Sequence, residues 1–337
     1  MKKIIFSIVL ILIVGAGAAE LDLRNKRVMI VGDSITQNHT WVSVFDYTLQ
    51  KTFSEDAIDV VGVGLSSETA SGLSEEAHRS CPRPWIHERL GRLLEKIKPE
   101  VVIACYGMND GIYHPQSPER MTAYQKGMER LIETCKEAGV SEFILMTPPP
   151  FDPVSALTKR ESFGPDAEGA YSYKYPYKNY DDVLADYGAW ILTLDNGDDI
   201  LVADVHNALT AYTEQQRLGN PEFSLSGDGV HPGFTGHLLM ANAVLKQIGM
   251  EVNDSDISLQ EQSVKQDPLF EPVEKRSKLL GESWRKYAGY IRNKEQTMTK
   301  IDSIDEPLRE TEALQKQIDS IRKHHDHGSR LQEGAGL

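Results

Sequence analysis

Ser34, Asn109, Asp228 and His231 are the residues of this chain whose types and settings could do chemistry together. Ser34 stands just past the apolar run of Val28, Met29, Ile30 and Val31, in RVMIVGDSIT (27–36). Asn109 stands in GMND (107–110), past another such run, while Asp228 and His231 lie three apart in the glycine-framed GDGVHP (227–232). A serine hydroxyl is a weak nucleophile until a base takes its proton. A histidine can be that base, and a carboxylate can hold its tautomer and stabilise the imidazolium. A glycine N–H, such as that of Gly64, and an asparagine amide are the donors an oxyanion hole requires. A Gly-Asp-Ser turn alone is usually only a turn. Its company gives it meaning.

These residues need elements to hold them. The run before Gly32, rich in β-branched residues, reads as a strand buried on both faces. Ile58–Val63, Val101–Tyr106, Phe143–Met146 and Ile200–Val205 repeat the pattern, with Gly62 and Gly64 closing the second run. Helical spacing joins Trp41, Val44, Phe45, Thr48 and Leu49, and predicts helices over Trp85–Ile97, Pro118–Ala138 and Thr235–Ile248. Ser117 caps the helix over Pro118–Ala138 and Gly139 closes it. The alternation predicts an α/β protein, a three-layer α/β/α sandwich around a five-stranded parallel sheet. Open sheets of this kind gather chemistry at the carboxyl ends of their strands, so Ser34, Gly64 and Asn109 are expected along one edge. Residues 151–177 form a long irregular insertion ending in YSYKYPY. It reads either as a functional loop or as a surface excursion pinned by its tyrosines.

The 337 residues allow one large domain and an appendage. Residues 1–18 read as a signal peptide, with Lys2 and Lys3, an apolar stretch from Ile4 to Val14, and Ala16-Gly17-Ala18 as cleavage site. About eleven apolar residues are too few to span a bilayer, so a secreted or periplasmic protein is expected. The sheet domain is expected over 27–250 and a helical extension over 265–323. Two stripes support that extension: Leu279, Leu280, Trp284, Tyr287 and Ile291, then Leu308, Leu314, Ile318 and Ile321. Residues 324–337, with HHDHGSRL, read as a disordered, solvated tail. A formal charge of −14 argues against nucleic acid and anionic membranes as partners. Cys81, Cys105 and Cys135 make no disulfide framework; Cys105 and Cys135 are expected as buried thiols, with one bridge left open. No P-loop, dinucleotide-binding glycine fingerprint or CxxC pair occurs.

Four blocks in order, GDSI at 32–35, the Gly64 region, GMND at 107–110 and DGVH at 228–231, give the chain its family likeness. Over roughly 27–250 it resembles the SGNH (GDSL-type) esterases. The resemblance implies a flavodoxin-like sheet, Ser34 as nucleophile, His231 as its base and Asp228 as the group that orients the base. It implies an oxyanion hole made of the Ser34 N–H, the Gly64 N–H and the Asn109 side chain. Two departures stand out. Gly62 occupies the position where such proteins often have an asparagine, which leaves the anchoring of the Gly64 loop open. Asn38 falls where the longer form of the first block has a glycine. The α/β-hydrolase GxSxG elbow is absent, since Thr36 takes its second glycine position. Arg83, in CPRP, and His114, in IYHP, are candidate substrate contacts, and Asp33 and Asp110 are expected to organise their loops.

The reading is an exported serine esterase that uses no metal and no organic cofactor and passes through an acyl-enzyme. Its expected partner is a small-molecule or glycan ester, with no membrane span after signal cleavage. Alternating tyrosines suit a sugar ring better than a flexible acyl chain, so a short acyl, O-acetyl ester on a carbohydrate is expected. The alternatives are a lipid or thioester hydrolase, an acyltransferase, and a non-catalytic glycan-binding protein. The last has no need of a nucleophile and its base.

Overall fold

Five strands, Arg27–Gly32 (β1), Asp59–Gly62 (β2), Val101–Cys105 (β3), Glu142–Met146 (β4) and Ile200–Ala203 (β5), run parallel in the order β2-β1-β3-β4-β5. Val28 is paired with Val60 on one side and Val101 on the other. Because helices cover both faces, β3 and β5 are buried at every residue, which explains their unbroken apolar runs. The computed structural model describes residues 21–292, 296, 297, 301 and 303–334. The expected signal peptide at 1–18 lies outside the described residues.

The helices are Ser34–Gln37 (α1), Thr40–Thr52 (α2), Leu90–Ile97 (α3), Pro118–Glu137 (α4), Pro153–Ala156 (α5), Tyr180–Leu192 (α6), Val205–Arg217 (α7) and Phe234–Gln247 (α8). Beyond them come Ile257–Gln266 (α9), Phe270–Ala288 (α10), a short antiparallel pair Ile291–Arg292 (β6) and Gln296–Thr297 (β7), and Asp305–Gly334 (α11). Helices α2, α8 and α10 pack together in one layer. In the other, α3 packs on α4, and Tyr124 of α4 stacks on Tyr187 of α6 at 4.2 Å. This is the three-layer, flavodoxin-like arrangement expected, with helices after it. From β1 the chain moves to one side of the sheet and from β3 to the other. The crevice at that switch point opens between the loops carrying Ser34 and Asn109.

Some boundaries differ from the sequence reading. The fifth strand stops at Ala203, because the Asp204 carboxylate accepts the Asn207 N–H at 3.1 Å and caps α7. Helices α6 and α7 were not anticipated. The helix expected over Trp85–Ile97 is a 3₁₀ turn, Ile86–Glu88, followed by α3, with Arg89 turned inward between them. The backbone of α11 stays helical to Gly334, past the point where a tail was expected to begin, since no proline interrupts it there. Cys81, Cys105 and Cys135 are free thiols, Cys105 and Cys135 buried.

Gly127 in α4 presses on the loop behind the crevice. A Cβ there would lie 2.2 Å from the Ala70 carbonyl oxygen and 2.5 Å from its carbon. Alanine in a helix interior normally gains about 1 kcal/mol over glycine, but overpacking against fixed backbone costs about 1–3 kcal/mol. The clash wins. Gly127→Ala should therefore lower the urea midpoint of unfolding, whereas a raised midpoint would show that α4 does not bear on this loop.

Candidate active site

The turn out of β1 has room only for glycine. A Cβ on Gly32 would sit 2.3 Å from Thr36 Oγ1 and 2.8 Å from the Cys105 carbonyl oxygen. The chain therefore turns at once into α1, whose first residue is Ser34 and whose cap is Asp33, accepting the Ile35 N–H at 2.9 Å. The loop before α8 delivers His231 from the other side. Ser34 Oγ lies 2.9 Å from His231 Nε2, and His231 Nδ1 lies 2.8 Å from Asp228 Oδ2. Asp228 Oδ1 accepts two backbone N–H groups, Val230 at 3.0 Å and His231 at 2.8 Å, which fixes the carboxylate to the loop it serves. Hydroxyl, imidazole and carboxylate thus form one hydrogen-bonded chain.

The electrostatics follow from this geometry. Burial alone would raise the Asp228 pKa, but the hydrogen bonds from His231 hold it well below the usual carboxylate range. Burial pulls His231 down, yet the Asp228 hydrogen bond and charge outweigh it, with Asp33 adding to them, so its pKa is raised above 6.5. Asp33 itself is pushed up to about 7, chiefly by burial. Asp110 is pushed up to about 6 by burial while it accepts the Ala70 and Ser71 N–H groups at 2.8 and 2.7 Å. Both aspartates hold backbone at the crevice, as the sequence suggested.

Asn109 and Gly64 flank the serine turn. Asn109 Nδ2 is 3.2 Å from Asp33 Oδ2 and 3.3 Å from the Glu68 carbonyl oxygen. Gly64 lies so close to α1 that a Cβ would meet Gln37 N at 2.5 Å and Thr36 Cβ at 2.7 Å. An imidazole placed to take a hydroxyl proton, beside two amide donors, is equipment for acyl transfer.

The sequence profile of the GDSL-like Lipase/Acylhydrolase family matches residues 30–239. The chain belongs to that family. Among solved structures it is similar to "BT4096 a gut microbial diltiazem-metabolizing enzyme", at 17% identity and a TM-score of 0.51, over 70% of this chain and 49% of that one. The chain thus spans about half the length of that protein. It is also similar to the psychrotrophic esterase EstA from Pseudoalteromonas sp., at 16% identity and a TM-score of 0.41, over 67% of this chain and 97% of that one. At 17% identity the first of these likenesses is one of fold. No curated protein matches.

Of the two candidate substrate contacts, Arg83 is placed differently from expectation, whereas His114 is half-buried beside the insertion. Arg83 is buried, not open to substrate. Its guanidinium makes a bidentate pair with buried Glu75, 2.7 Å on each arm, and its Nη1 donates to Asn109 Oδ1 at 2.9 Å. Since arginine only donates, this bond identifies the Asn109 oxygen and aims the amide nitrogen toward Asp33. His114 packs on Tyr171 at 5.4 Å and braces the insertion.

The insertion joins the two sides of the crevice. Asp152 N bonds to the Gly229 carbonyl at 2.9 Å, and Tyr177 N to the Tyr113 carbonyl at 2.8 Å. Between them stands Arg160, which the sequence gave no reason to single out. It donates to the Asp228 carbonyl and lies 5.8 Å from the Tyr113 ring and 5.6 Å from that of Phe151. A cleft of about 770 Å³ lies elsewhere, between the amino ends of β1 and β2 and helices α10 and α11. Its arginines are already engaged, Arg27 with Asp59 and Arg276 with Asp46 and Asp59. Among the described residues no group of three His, Cys, Asp or Glu could hold a metal, and no helix is long and apolar enough to cross a membrane.

Replacing Arg83 tests whether it is a tie or an open contact. Arg83→Met strands the Glu75 carboxylate in the interior and should cost about 3–5 kcal/mol in urea unfolding, part of it recovered by adding Glu75→Gln. A loss under about 1 kcal/mol, typical of an exposed pair, would place Arg83 within reach of substrate.

Proposed function

We propose that this chain is an exported serine esterase that removes short acyl groups from carbohydrate esters. The observation that carries the esterase mechanism is the unbroken chain from Ser34 Oγ through His231 to Asp228. His231 Nε2 takes the Ser34 proton as Oγ attacks the ester carbonyl carbon, and Asp228 stabilises the imidazolium. The oxyanion is met by the N–H groups of Ser34 and Gly64 and by the Asn109 amide. Both Asn109 amide protons are engaged at rest, at 3.2 and 3.3 Å, so the oxyanion takes over the bond to Asp33. His231 then gives its proton to the departing alcohol. A water molecule repeats the sequence on the acyl-enzyme and frees Ser34.

The walls of the crevice support the substrate class. Tyr171, Tyr177 and His114 offer half-buried rings with polar edges, the kind of surface that suits a sugar. Tyr173 and Tyr175 serve the loop itself, one against His78 at 5.2 Å and the other bonded to Glu161. The apolar leader at 1–18 supports export. A second reading, an ester with a longer apolar chain, draws on Val154 and Leu157, which stand 43% and 50% exposed on and just after α5 beside the Gly229 loop.

Three measurements test this function. Ser34→Ala should lower turnover of p-nitrophenyl acetate by on the order of 10³ or more without unfolding the protein; undiminished turnover removes Ser34 as the nucleophile. His231 must be neutral to accept the proton, so kcat/KM should fall as pH drops through its pKa, with the midpoint above 6.5. Asp228→Asn removes the group that raises that pKa, so the residual activity should carry its acid limb at lower pH. A limb unmoved by that change would deny the coupling. For the substrate, acetate release from acetylated glycans should outpace hydrolysis of long-chain p-nitrophenyl esters, and the reverse order would put the apolar-chain reading first.

A further inference from the structure

We infer that α10, which lies outside the family match, is a clamp on the oxyanion loop, with Arg285 as its positioning residue. The inference rests on the reading of the Gly64 N–H as an oxyanion donor. A single backbone N–H is useful only when its peptide is held still at the moment charge develops. Gly62 offers no side chain for that task. It has no space for one either, since a Cβ there would lie 2.9 Å from Val42 Cγ1 and 3.2 Å from His39 Cε1. The imidazole of His39, carried on a left-handed backbone at φ 67°, fills the place instead.

That ring is tied to α10 at both nitrogens. Arg285 Nη1, 3.2 Å away, can only donate, so His39 Nε2 accepts, leaving Nδ1 to donate to Ser277 Oγ at 3.0 Å. Burial, with the charges of Arg285 and Lys278, pushes the His39 pKa down to about 3, so this pattern persists over any working pH. The same Arg285 Nη1 reaches the Gly64 carbonyl at 3.4 Å. On the other flank Arg89 Nη2 donates to the Val63 carbonyl at 2.8 Å. That carbonyl belongs to the very peptide that carries the Gly64 N–H, so the bond both orients and polarises the donor.

The helix reaches this position because Gly281 lets it. A Cβ on Gly281 would lie 2.3 Å from the Gly62 carbonyl oxygen and 2.3 Å from His39 Cε1. Helix α10 therefore touches the loop backbone to backbone. Burial and the charge of Arg89 lower the Arg285 pKa to about 10, with Glu282 opposing them without closing a direct ion pair among the described residues. A partly buried cation with no direct ion pair gains little as a stability device. Its bonds go to the loop.

The test is kcat and KM on p-nitrophenyl acetate for Arg285→Met, Arg285→Lys and Gly281→Ala, beside Asn109→Ala and Ser34→Ala. Arg285→Met should lower kcat about 10-fold with KM changed less than about 2-fold, and Arg285→Lys should restore part of it. Its urea midpoint should hold, because a half-buried charge with no direct ion pair has been replaced by an apolar side chain. Gly281→Ala should lower kcat in the same way by wedging α10 off the loop. Wild-type kcat in Arg285→Met, with Asn109→Ala still reduced about 100-fold, overturns the clamp and leaves the oxyanion reading standing. A raised KM at constant kcat in Arg285→Met makes it a substrate contact and also overturns the clamp. If neither Asn109→Ala nor Ser34→Ala loses activity, the underlying mechanism fails and the clamp falls with it.

Discussion

A wholly buried ion pair lies beneath the carboxyl edge of the sheet, and the geometry of the crevice depends on it. Arg89 Nε and Nη2 each meet a Glu68 oxygen at 2.7 Å, with both side chains closed to solvent. Tyr106 adds its hydroxyl to Glu68 at 2.7 Å. From this knot two links run outward: Arg89 holds the Val63 carbonyl, and the Glu68 carbonyl receives the Asn109 amide. Burying two charges costs free energy that their attraction offsets only partly, so the pair is a poor explanation of stability. It is a good explanation of rigidity. Removing either partner would leave the other charged in the interior, so the alternatives to this arrangement are all high in energy.

What could be seen in the sequence was whatever is local. Ser34, Asn109 and the Asp228–His231 loop sit in short contiguous blocks, and the parallel sheet announces itself through runs buried on both faces. The partners of arginines are not local. Arg83 reads as a substrate contact because it follows a glycine loop; its acid, Glu75, stands in an irregular stretch with no periodicity to signal the pairing. Arg285 and Gly64 are far apart in the chain and meet only because α10 folds back over β2. Helix α7 escaped notice because its buried stripe is thin, Val205, Leu209 and Thr213, and because Val205 extends the apolar run of β5. Periodicity reports which face is buried, not what it is buried against.

The family fold leaves two things unprovided, and the rest of the chain supplies both. Strand β2 is at the edge of the sheet, with an unpaired side that would otherwise invite another strand. Helix α10 packs on it, fixed by Phe270 against Tyr47 at 5.7 Å and by Arg276 toward Asp46 at 3.4 Å. At the crevice itself, a bare sheet edge has no walls. The insertion at 151–177 builds them by bonding to the Asp228–His231 loop at one end and to the Asn109 loop at the other. Extension and insertion therefore approach the same crevice from opposite sides.

The two aspartates around His231 show how environment divides the labour of like groups. Asp228 is partly open to water and accepts three hydrogen bonds, so it stays ionised throughout. Asp33 is fully buried, near the further acids Asp110 and Glu68, and its pKa is pushed up to about 7. Close to neutrality, then, the site carries one fixed negative charge and one that is readily given up. That division is what the proposed acyl transfer needs. A second fixed charge beside the oxyanion would repel it, whereas an aspartate easily neutralised can release the Asn109 amide to the oxyanion. In the proposed mechanism the fixed charge belongs on the far side of the imidazole, where it favours the proton's arrival on His231 without facing the acyl group.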